Sequence, residues 1–180
     1  MNHSDHVALL RNGIPAPGGV WADLGAGAGA FTWALADLLG PGATIYAVDQ
    51  DMGALLENRR GLQMRWPGTL AHIQPGDFTR PLDLPPLDGV VMANALHFVR
   101  QKEPVLARVH SLLRPGGRLL LVEYNADSGN PWVPFPLSYP RWAALAVRCG
   151  FSSTRLLTTV PSRFLREIYA AASDRPPAAV

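Results

Sequence analysis

The sequence predicts an α/β protein with a doubly wound sheet of seven strands, mostly parallel, that ends in an antiparallel hairpin. Short apolar, β-branched segments alternate with helical segments along the 180 residues, and such alternation favours a parallel sheet with helices on both faces. The strand segments are almost continuously apolar, as is typical of strands buried on both faces. The last two strand segments follow each other without a helix between them, which predicts the hairpin.

The individual elements are placed from the spacing of apolar residues and from the glycines and prolines that interrupt it. Strands are predicted at residues 20–24, 44–49, 69–74, 88–95, 118–124, 154–160 and 167–172. Helices are predicted at residues 4–12, 31–39, 52–66, 103–113 and 141–149. Because prolines lie at positions 81, 85 and 86, the crossover between the third and fourth strands is predicted to lack a regular helix.

Length and composition restrict the class of protein. We expect one domain over residues 1–172 and a disordered tail over residues 173–180. The formal net charge is only +2 and the arginines are scattered, so we expect no nucleic-acid partner. One cysteine excludes an internal disulfide and a cysteine-based zinc site, and no metal is predicted. Without an apolar signal segment or a membrane-spanning run, a cytoplasmic protein is expected.

The segment DLGAGAGA, residues 23–30, follows the first predicted strand directly. Glycine lets the backbone approach a ligand closely, so Gly25, Gly27 and Gly29 indicate a ligand at this turn. Read from Gly25, the segment also satisfies the G-x-G-x-x-G/A pattern of dinucleotide sites. A dinucleotide would place a pyrophosphate here, and Asp23 would repel it. S-adenosylmethionine carries an ammonium and a sulfonium, which Asp23 would attract, so this cofactor is favoured. The alternative for Asp23 is a structural carboxylate that accepts hydrogen bonds from loop amides.

Acidic residues also follow the second and third predicted strands. Asp49 lies where an acid accepts hydrogen bonds from ribose hydroxyls, next to Gln50. The alternative is that Asp49 caps the next helix, a role that Asp51 suits better. Asp77 is placed to accept from an adenine amino group and Phe78 to cover the ring. A turn aspartate with a core phenylalanine is the alternative for this pair.

The fourth and fifth predicted strands end in residues that would lie near the reacting end of the cofactor. Asn94 and Ala95 follow the fourth strand, and His97 follows two residues later. A general base needs a tunable pKa and reach to the substrate proton, so His97 is the first candidate base. Tyr124, at the end of the fifth strand, is the second. A packing role is the alternative for both.

These segments together resemble those of class I S-adenosylmethionine-dependent methyltransferases, particularly the small-molecule group that includes the ubiquinone/menaquinone methyltransferases. The resemblance rests on four segments: WADLGAGAGAF, IYAVDQD, PGDF, and DGVVMANALHFV leading into LLRPGGRLLLVEYN. It implies a Rossmann-like sheet whose seventh strand is antiparallel. The Asn/Asp-Pro-Pro-Tyr signature of amino-group nucleic-acid methyltransferases is absent, because Asn94-Ala95-Leu96-His97 stands in its place.

The resemblance also implies a role for each candidate residue. The methionine end of the cofactor would be held by the first loop, which comprises Asp23, Leu24, Gly25, Ala26, Gly27 and Gly29. Asp49 would hold the ribose, Asp77 and Phe78 the adenine, and Asn94 would line the cofactor through its backbone.

The function predicted is transfer of a methyl group from S-adenosylmethionine to a small acceptor by in-line displacement, with S-adenosylhomocysteine as product. The leaving group is already activated, so the protein mainly orients the partners, and a base is needed only if the acceptor must lose a proton. Two alternatives stay open. One is a non-catalytic sensor or partner subunit that binds S-adenosylmethionine, and the other is a nicotinamide-dependent oxidoreductase.

A proline-rich loop over residues 130–140 carries Trp132, Phe135 and Tyr139 outside any predicted element. Three roles are open for this loop. It would line the acceptor site as a lid, or form a homodimer contact through its apolar surface, or pack against the sheet.

Overall fold

The computed structural model describes residues 1–162 and 164–178, which form one seven-stranded sheet covered by helices. The strands are β1 (Val20–Leu24), β2 (Thr44–Asp49), β3 (Leu70–Pro75), β4 (Leu87–Ala93), β5 (Leu113–Tyr124), β6 (Ser152–Pro161) and β7 (Glu167–Asp174). The helices are α1 (His3–Arg11), α2 (Ala30–Leu39), α3 (Met52–Arg65), α4 (Glu103–Leu112) and α5 (Tyr139–Arg148), with a 3-10 turn at Leu96–Phe98.

The strand order is β3-β2-β1-β4-β5-β7-β6. The first five strands pair in parallel, and β7 lies antiparallel between β5 and β6. This arrangement confirms the predicted fold class, including the Rossmann-like sheet and the antiparallel hairpin. The chain reverses direction along the sheet between β3 and β4, and ligands of such sheets bind where the order reverses, at the carboxyl ends of the strands.

Two hydrophobic clusters cover the two faces of the sheet. One contains buried residues of α1 and α2, such as Leu10 and Leu35. The other contains buried residues of α4 and α5, such as Leu106 and Trp142. The central strands contribute alternate side chains to the two clusters, which explains why their sequences are largely apolar. The edge strands β3 and β6 contain more polar residues and are only partly buried.

Several predicted boundaries differ from the observed ones. β5 begins at Leu113 rather than at 118, because the segment after α4 is already extended and Leu113 pairs with Leu87. α5 begins at Tyr139, which the sequence placed in the preceding loop. The crossover over residues 79–86 has no helix, as its prolines predicted. The 3-10 turn that contains His97 was not predicted.

The prediction of a disordered tail from residue 173 is wrong for the residues nearest the sheet. Ser173 and Asp174 belong to β7, and the N–H of Arg175 donates to the carbonyl of Gly117 at 2.7 Å. The Asp174 carboxylate accepts from both Nε and Nη2 of Arg118, at 2.5 and 3.2 Å. These partners hold the segment to β5. Residues 179–180 lie outside the described part of the chain.

None of the helices in the described ranges is both long and apolar enough to cross a membrane.

Candidate active site

A cavity of about 360 Å³ lies at the carboxyl ends of β1, β2 and β4, where the strand order reverses. Parallel neighbours end at the same edge of the sheet, so residues that are far apart in the sequence meet there. Its lining is Gly25, Asp49, Gln50, Asp77, Phe78, Thr79, Asn94, Ala95, Phe98 and Val99. Seven of these were predicted as cofactor residues from their places after the strands.

The first loop needs glycine at two positions for both conformation and space. Gly25 has φ +84°, and a Cβ there would lie 2.6 Å from the Cβ of Ala95. Gly29 has φ +103°, and its Cβ would lie 2.5 Å from Oδ1 of Asn58. Gly29 is also the N-cap of α2, which has no side-chain cap. The first N–H groups of α2 are therefore open to a ligand.

Asp49 is fixed by two backbone donors. Its Oδ2 accepts from the N–H of Gly27 at 2.8 Å, and its Oδ1 accepts from the N–H of Asp51 at 2.9 Å. Each carboxylate oxygen keeps a further acceptor site, which suits paired ribose hydroxyls. Asp51 is the N-cap of α3, since its side chain accepts from the N–H of Ala54 at 3.0 Å.

Asp77 and Phe78 form the far wall of the cavity. Oδ1 of Asp77 accepts from the N–H and the hydroxyl of Thr79, at 2.8 and 2.6 Å. These hydrogen bonds, with Arg80 3.6 Å from Oδ2, lower the pKa of the Asp77 carboxyl. The carboxylate is therefore kept ionised as an acceptor for a ligand amino group. The Phe78 ring lies beside the backbone of Gly25.

Asn94 combines backbone strain with an unpaired polar atom. Its φ is +51°, a conformation that costs free energy for a residue other than glycine. Its N–H donates to the carbonyl of Val122 at 2.9 Å, whereas its buried Oδ1 has no partner among the described residues. Both observations point to a ligand contact, because buried acceptors without partners are rare.

Asp23 does not line the cavity. It is 1% exposed and accepts from the hydroxyl of Thr32 at 2.6 Å, while that hydroxyl accepts from Nδ2 of Asn58 at 2.8 Å. Burial raises the pKa of Asp23 to about 7, opposed by the Thr32 hydrogen bond and assisted by the charge of Asp49. Leu24, Ala26, Gly27 and Gly29 also lie outside the cavity lining.

The buried hydrogen-bond chain that joins Asp23, Thr32 and Asn58 was not predicted from the sequence. Thr32 is a polar residue on the buried face of α2, and it is fully buried. That position was the available signal, because a buried hydroxyl needs a partner. Nothing local marks Asn58 as its second partner, since α3 meets α2 only in the tertiary structure.

His97 forms a buried pair with Glu123, at the end of β5. Nδ1 of His97 lies 2.9 Å from Oε2 of Glu123, and the backbone N–H of His97 donates to Oε1 at 3.0 Å. His97 is 3% exposed and Glu123 is fully buried. Glu123 was not selected as a site residue, although it directly precedes Tyr124. With Nδ1 donating to Glu123, Nε2 carries the lone pair that a general base needs.

Tyr124 packs edge-on against the His97 ring, with centroids 5.5 Å apart. Burial, followed by the neighbouring Glu123, raises the pKa of the Tyr124 hydroxyl. A raised pKa leaves less phenolate near neutral pH, which disfavours Tyr124 as a base. Neither His97 nor Tyr124 belongs to the lining of the cavity described above.

The loop over residues 130–140 is docked at three points. Val133 and Leu137 are buried, and the N–H of Phe135 donates to the carbonyl of His97 at 3.0 Å. Trp132 remains 70% exposed. The loop therefore packs against the protein and touches the backbone of the candidate base, but it does not line the cavity described above.

A comparison with family models matches residues 22–119 to one described as a methyltransferase domain. The chain belongs to this family. The matched methyltransferase domain runs from the second half of β1 through β4 and α4 into β5. It includes the first loop, Asp49, Asp77, Asn94 and His97.

Curated relatives are similar to this methyltransferase in parts of their length. A reducing polyketide synthase of a Penicillium species is 31% identical over 176 residues, which cover 85% of this chain and 7% of the relative. A demethylmenaquinone methyltransferase of Beutenbergia cavernae is 35% identical over 127 residues, covering 68% of this chain and 47% of the relative. The chain thus spans less than half the length of these relatives.

Solved structures share the fold at low sequence identity. The CurJ carbon methyltransferase has a TM-score of 0.72 at 18% identity, covering 91% of this chain and 50% of that one. Magnesium protoporphyrin IX methyltransferase from Synechocystis, solved with its bound S-adenosylmethionine, has a TM-score of 0.74 at 19% identity, covering 96% and 77%.

The cofactor of this methyltransferase is S-adenosylmethionine, and the residues of the cavity fit it. The glycine loop leaves space beside open helix N–H groups, Asp49 presents free acceptor sites, and Asn94 presents an unpaired one. The class I small-molecule methyltransferase that the sequence resembled is confirmed. Neither the sensor nor the oxidoreductase alternative is retained.

Proposed function

We propose that this methyltransferase methylates an acidic carbon of a small acceptor, with His97 as general base and Glu123 as the residue that orients it. The observation that carries the proposal is the buried pair of His97 Nδ1 and Glu123 Oε2 at 2.9 Å. Methyl transfer from a sulfonium needs no base unless the acceptor must lose a proton, so a built base indicates an acceptor of that kind.

Glu123 fixes the tautomer and the orientation of the imidazole. Its carboxylate accepts from the backbone N–H groups of His97 and Tyr124 and contacts Nδ1. These bonds compensate for the burial of the carboxylate. The pair resembles others in which a buried acid orients a catalytic histidine and stabilises the imidazolium that forms.

The reaction then needs one proton transfer and one displacement. When bound, S-adenosylmethionine supplies an electrophilic methyl group on a leaving sulfide. Nε2 of His97 would take the proton from the acceptor carbon and leave on that carbon the electron pair that accepts the methyl group. Glu123 stabilises the protonated His97, which returns its proton to solvent after S-adenosylhomocysteine has formed.

Support for carbon as the acceptor atom comes from one similar fold, whereas other similar folds are those of N-methyltransferases. Reducing polyketide synthases are similar over most of this chain, and one similar fold is that of a carbon methyltransferase. An acidic C–H between two carbonyl groups has a proton that a histidine can remove. We propose the active methylene of a β-ketoacyl compound as the acceptor class.

The test is a two-part assay of the wild-type chain with acetoacetyl-N-acetylcysteamine thioester. The first part measures methyl transfer from S-adenosylmethionine, and the second measures exchange of the acidic C–H in D₂O by NMR without cofactor. We expect His97→Gln to lower both rates by roughly 10²–10⁴-fold while S-adenosylhomocysteine still binds. Glu123→Gln should lower both rates less.

Tyr124→Phe is the matched control, because it keeps the ring that packs against His97 and removes only the hydroxyl. We expect it to keep most of the wild-type rate. The proposal is wrong if His97→Gln transfers methyl groups at the wild-type rate, or if only oxygen or nitrogen acceptors are methylated.

We also propose a homodimer through the 130–140 loop. The support is the 70% exposure of Trp132 and the 38% exposure of Phe135, two large apolar side chains on one loop. Sedimentation velocity should show a dimer for the wild type and a monomer for Trp132→Ser. Phe164→Ser, which changes another exposed aromatic side chain outside this loop, should leave the dimer intact.

A further inference from the structure

A second cavity, of about 430 Å³, lies between α4, α5 and the 130–140 loop. It shares no lining residue with the cavity at the carboxyl ends of β1, β2 and β4. The lining carries four cationic side chains and two carboxylates: Arg100, Lys102, Arg141, Arg148, Glu103 and Asp127. We name it the α4–α5 cavity.

Lys102 is a buried cation in the wall of this cavity without a carboxylate partner among the described residues. It is 7% exposed, and Nζ donates to the carbonyls of Val99 and Phe135, at 2.7 and 2.8 Å. An ammonium has three N–H donors, so one remains for a ligand. Burying a charge is costly, and the carboxylates of Glu123 and Glu103 act on Lys102 without contacting it, so an anion in the cavity would supply a direct counter-charge.

The arginines add charge that a ligand can use. Arg141 pairs with Asp127 at 3.2 Å and Arg148 pairs with Glu103 at 3.5 Å, but all four side chains are more than half exposed. Such pairs contribute little free energy and are easily exchanged for a stronger anion. Arg100 is exposed and has no ion pair within the described ranges.

We propose that the α4–α5 cavity binds the phosphate group of a phosphorylated small molecule. Guanidinium groups bind phosphate oxygens in a forked geometry, and an ammonium adds a point charge. The volume is large enough for a phosphate ester or a diphosphate. The fixed cation is Lys102, and the exposed arginines close on the ligand from the rim.

Phe135 connects this site to the candidate base. Its carbonyl accepts from Lys102, and its N–H donates to the carbonyl of His97 at 3.0 Å. Along this chain of hydrogen bonds, Phe135 is therefore the only residue between a phosphate held at Lys102 and the backbone of His97. The phosphate belongs either to the methyl acceptor itself or to a separate phosphorylated molecule.

The first test is calorimetric titration of the full chain with inorganic pyrophosphate, near neutral pH and at low ionic strength. We expect saturable binding that Arg100→Gln and Lys102→Met each weaken by about tenfold or more. Arg60→Gln is the matched control, because it removes an exposed arginine of α3 that does not line the cavity. Its affinity should equal that of the wild type.

Two results would overturn the proposal: no saturable binding to the wild type, or an equal loss in Arg60→Gln, which would indicate diffuse charge only. Lys102→Met changes a buried residue, so its fold is checked by thermal unfolding and by binding of S-adenosylhomocysteine. Arg100→Gln changes an exposed side chain and decides the question if Lys102→Met does not fold.

The second test identifies where the phosphate comes from and rests on the proposed function. Methyl transfer is compared between acetoacetyl-coenzyme A, which carries phosphates, and the phosphate-free acetoacetyl-N-acetylcysteamine thioester. If Arg100→Gln raises the KM for acetoacetyl-coenzyme A alone, the phosphate belongs to the acceptor. If the substitution changes the KM of neither thioester, a separate phosphorylated molecule is bound. An equal rise for both thioesters would contradict a phosphate site. If neither thioester is methylated, the proposed function fails, while pyrophosphate binding still decides the site.

Discussion

At the scale of single residues, Asp23 has a different role from the one that its place in the motif suggested. Its charge was expected to attract the cationic cofactor directly, yet the side chain lies behind the glycine loop, bonded to Thr32. Its pKa is raised to about 7 by burial. In the free protein, Asp23 is therefore a partly protonated structural group that joins β1 to α2.

The raised pKa of Asp23 predicts how stability depends on pH. A carboxyl with a higher pKa in the folded state stabilises the fold below its unfolded pKa of 3.8, and this contribution is lost as the pH rises through about 7. The loss amounts to about 4 kcal/mol as an order of magnitude. Asp23→Asn should remove this pH-dependent loss, so the unfolding free energy of the variant should decline less than that of the wild type between pH 4 and 7.

Urea unfolding of the cofactor-free protein at several pH values measures this difference. Asp37→Asn, a change to an exposed aspartate of α2, is the control and should follow the wild type. Parallel pH curves for Asp23→Asn and the wild type would show that Asp23 titrates normally.

The glycine loop predicts contrasting effects for two neighbouring alanine substitutions. Gly25→Ala would place a Cβ 2.6 Å from that of Ala95, whereas a Cβ at Gly27 meets no atom within 4 Å. Both positions have positive φ, so each substitution costs about 1 kcal/mol of backbone strain. We expect Gly25→Ala to lose additional stability and to lose S-adenosylhomocysteine binding; thermal unfolding and calorimetry measure the two effects. Equal thermal stability of the two variants would contradict the steric argument.

At the scale of elements, the strand ends explain why seven residues predicted to bind the cofactor line one cavity. Asp49 ends the parallel strand β2, Asp77 and Asn94 follow the parallel strands β3 and β4, and parallel strands end at one edge of the sheet. The crossover over residues 79–86 was likewise predictable, because proline forbids a helix. His97 was selected for its chemistry, but its 3-10 turn and its partner Glu123 depend on contact between β4 and β5.

α3 depends on its N-cap, since Asp51 accepts from the N–H of Ala54 at 3.0 Å. Asp51→Ala should lower the unfolding free energy by about 1 kcal/mol. Glu57→Ala, which removes an exposed carboxylate from the middle of the same helix, should have little effect in the same urea titration. An equal loss in both variants would indicate a general charge effect rather than capping.

At the scale of the whole molecule, the C-terminal strand completes the sheet. β7 lies between β5 and β6, and its last residue, Asp174, pairs with Arg118, whose Nη1 also donates to the carbonyl of Gly13 at 3.0 Å. Arg175 extends this arrangement, because its Nη1 donates to the carbonyl of His110 at 3.1 Å. The end of β7 therefore connects three distant parts of the chain.

A chain that ends at Ala172 should lose roughly 3 kcal/mol of unfolding free energy, because Arg118 would keep a largely buried charge without its partner. A chain that ends at Pro177 keeps Asp174 and Arg175 and should match the full-length protein in urea unfolding. Unchanged stability after removal of residues 173–180 would support the original prediction of a disordered tail.

The sequence by itself determined the fold class and placed seven candidate cofactor residues at one edge of the sheet, because these follow from local patterns: apolar strands, glycines, and the residues at the strand ends. The tertiary structure decided which polar side chains meet. The partners in His97–Glu123, Asp23–Thr32–Asn58 and Lys102–Phe135 are separated in sequence by 9 to 33 residues. Their pairing depends on how the elements pack, which no local pattern encodes.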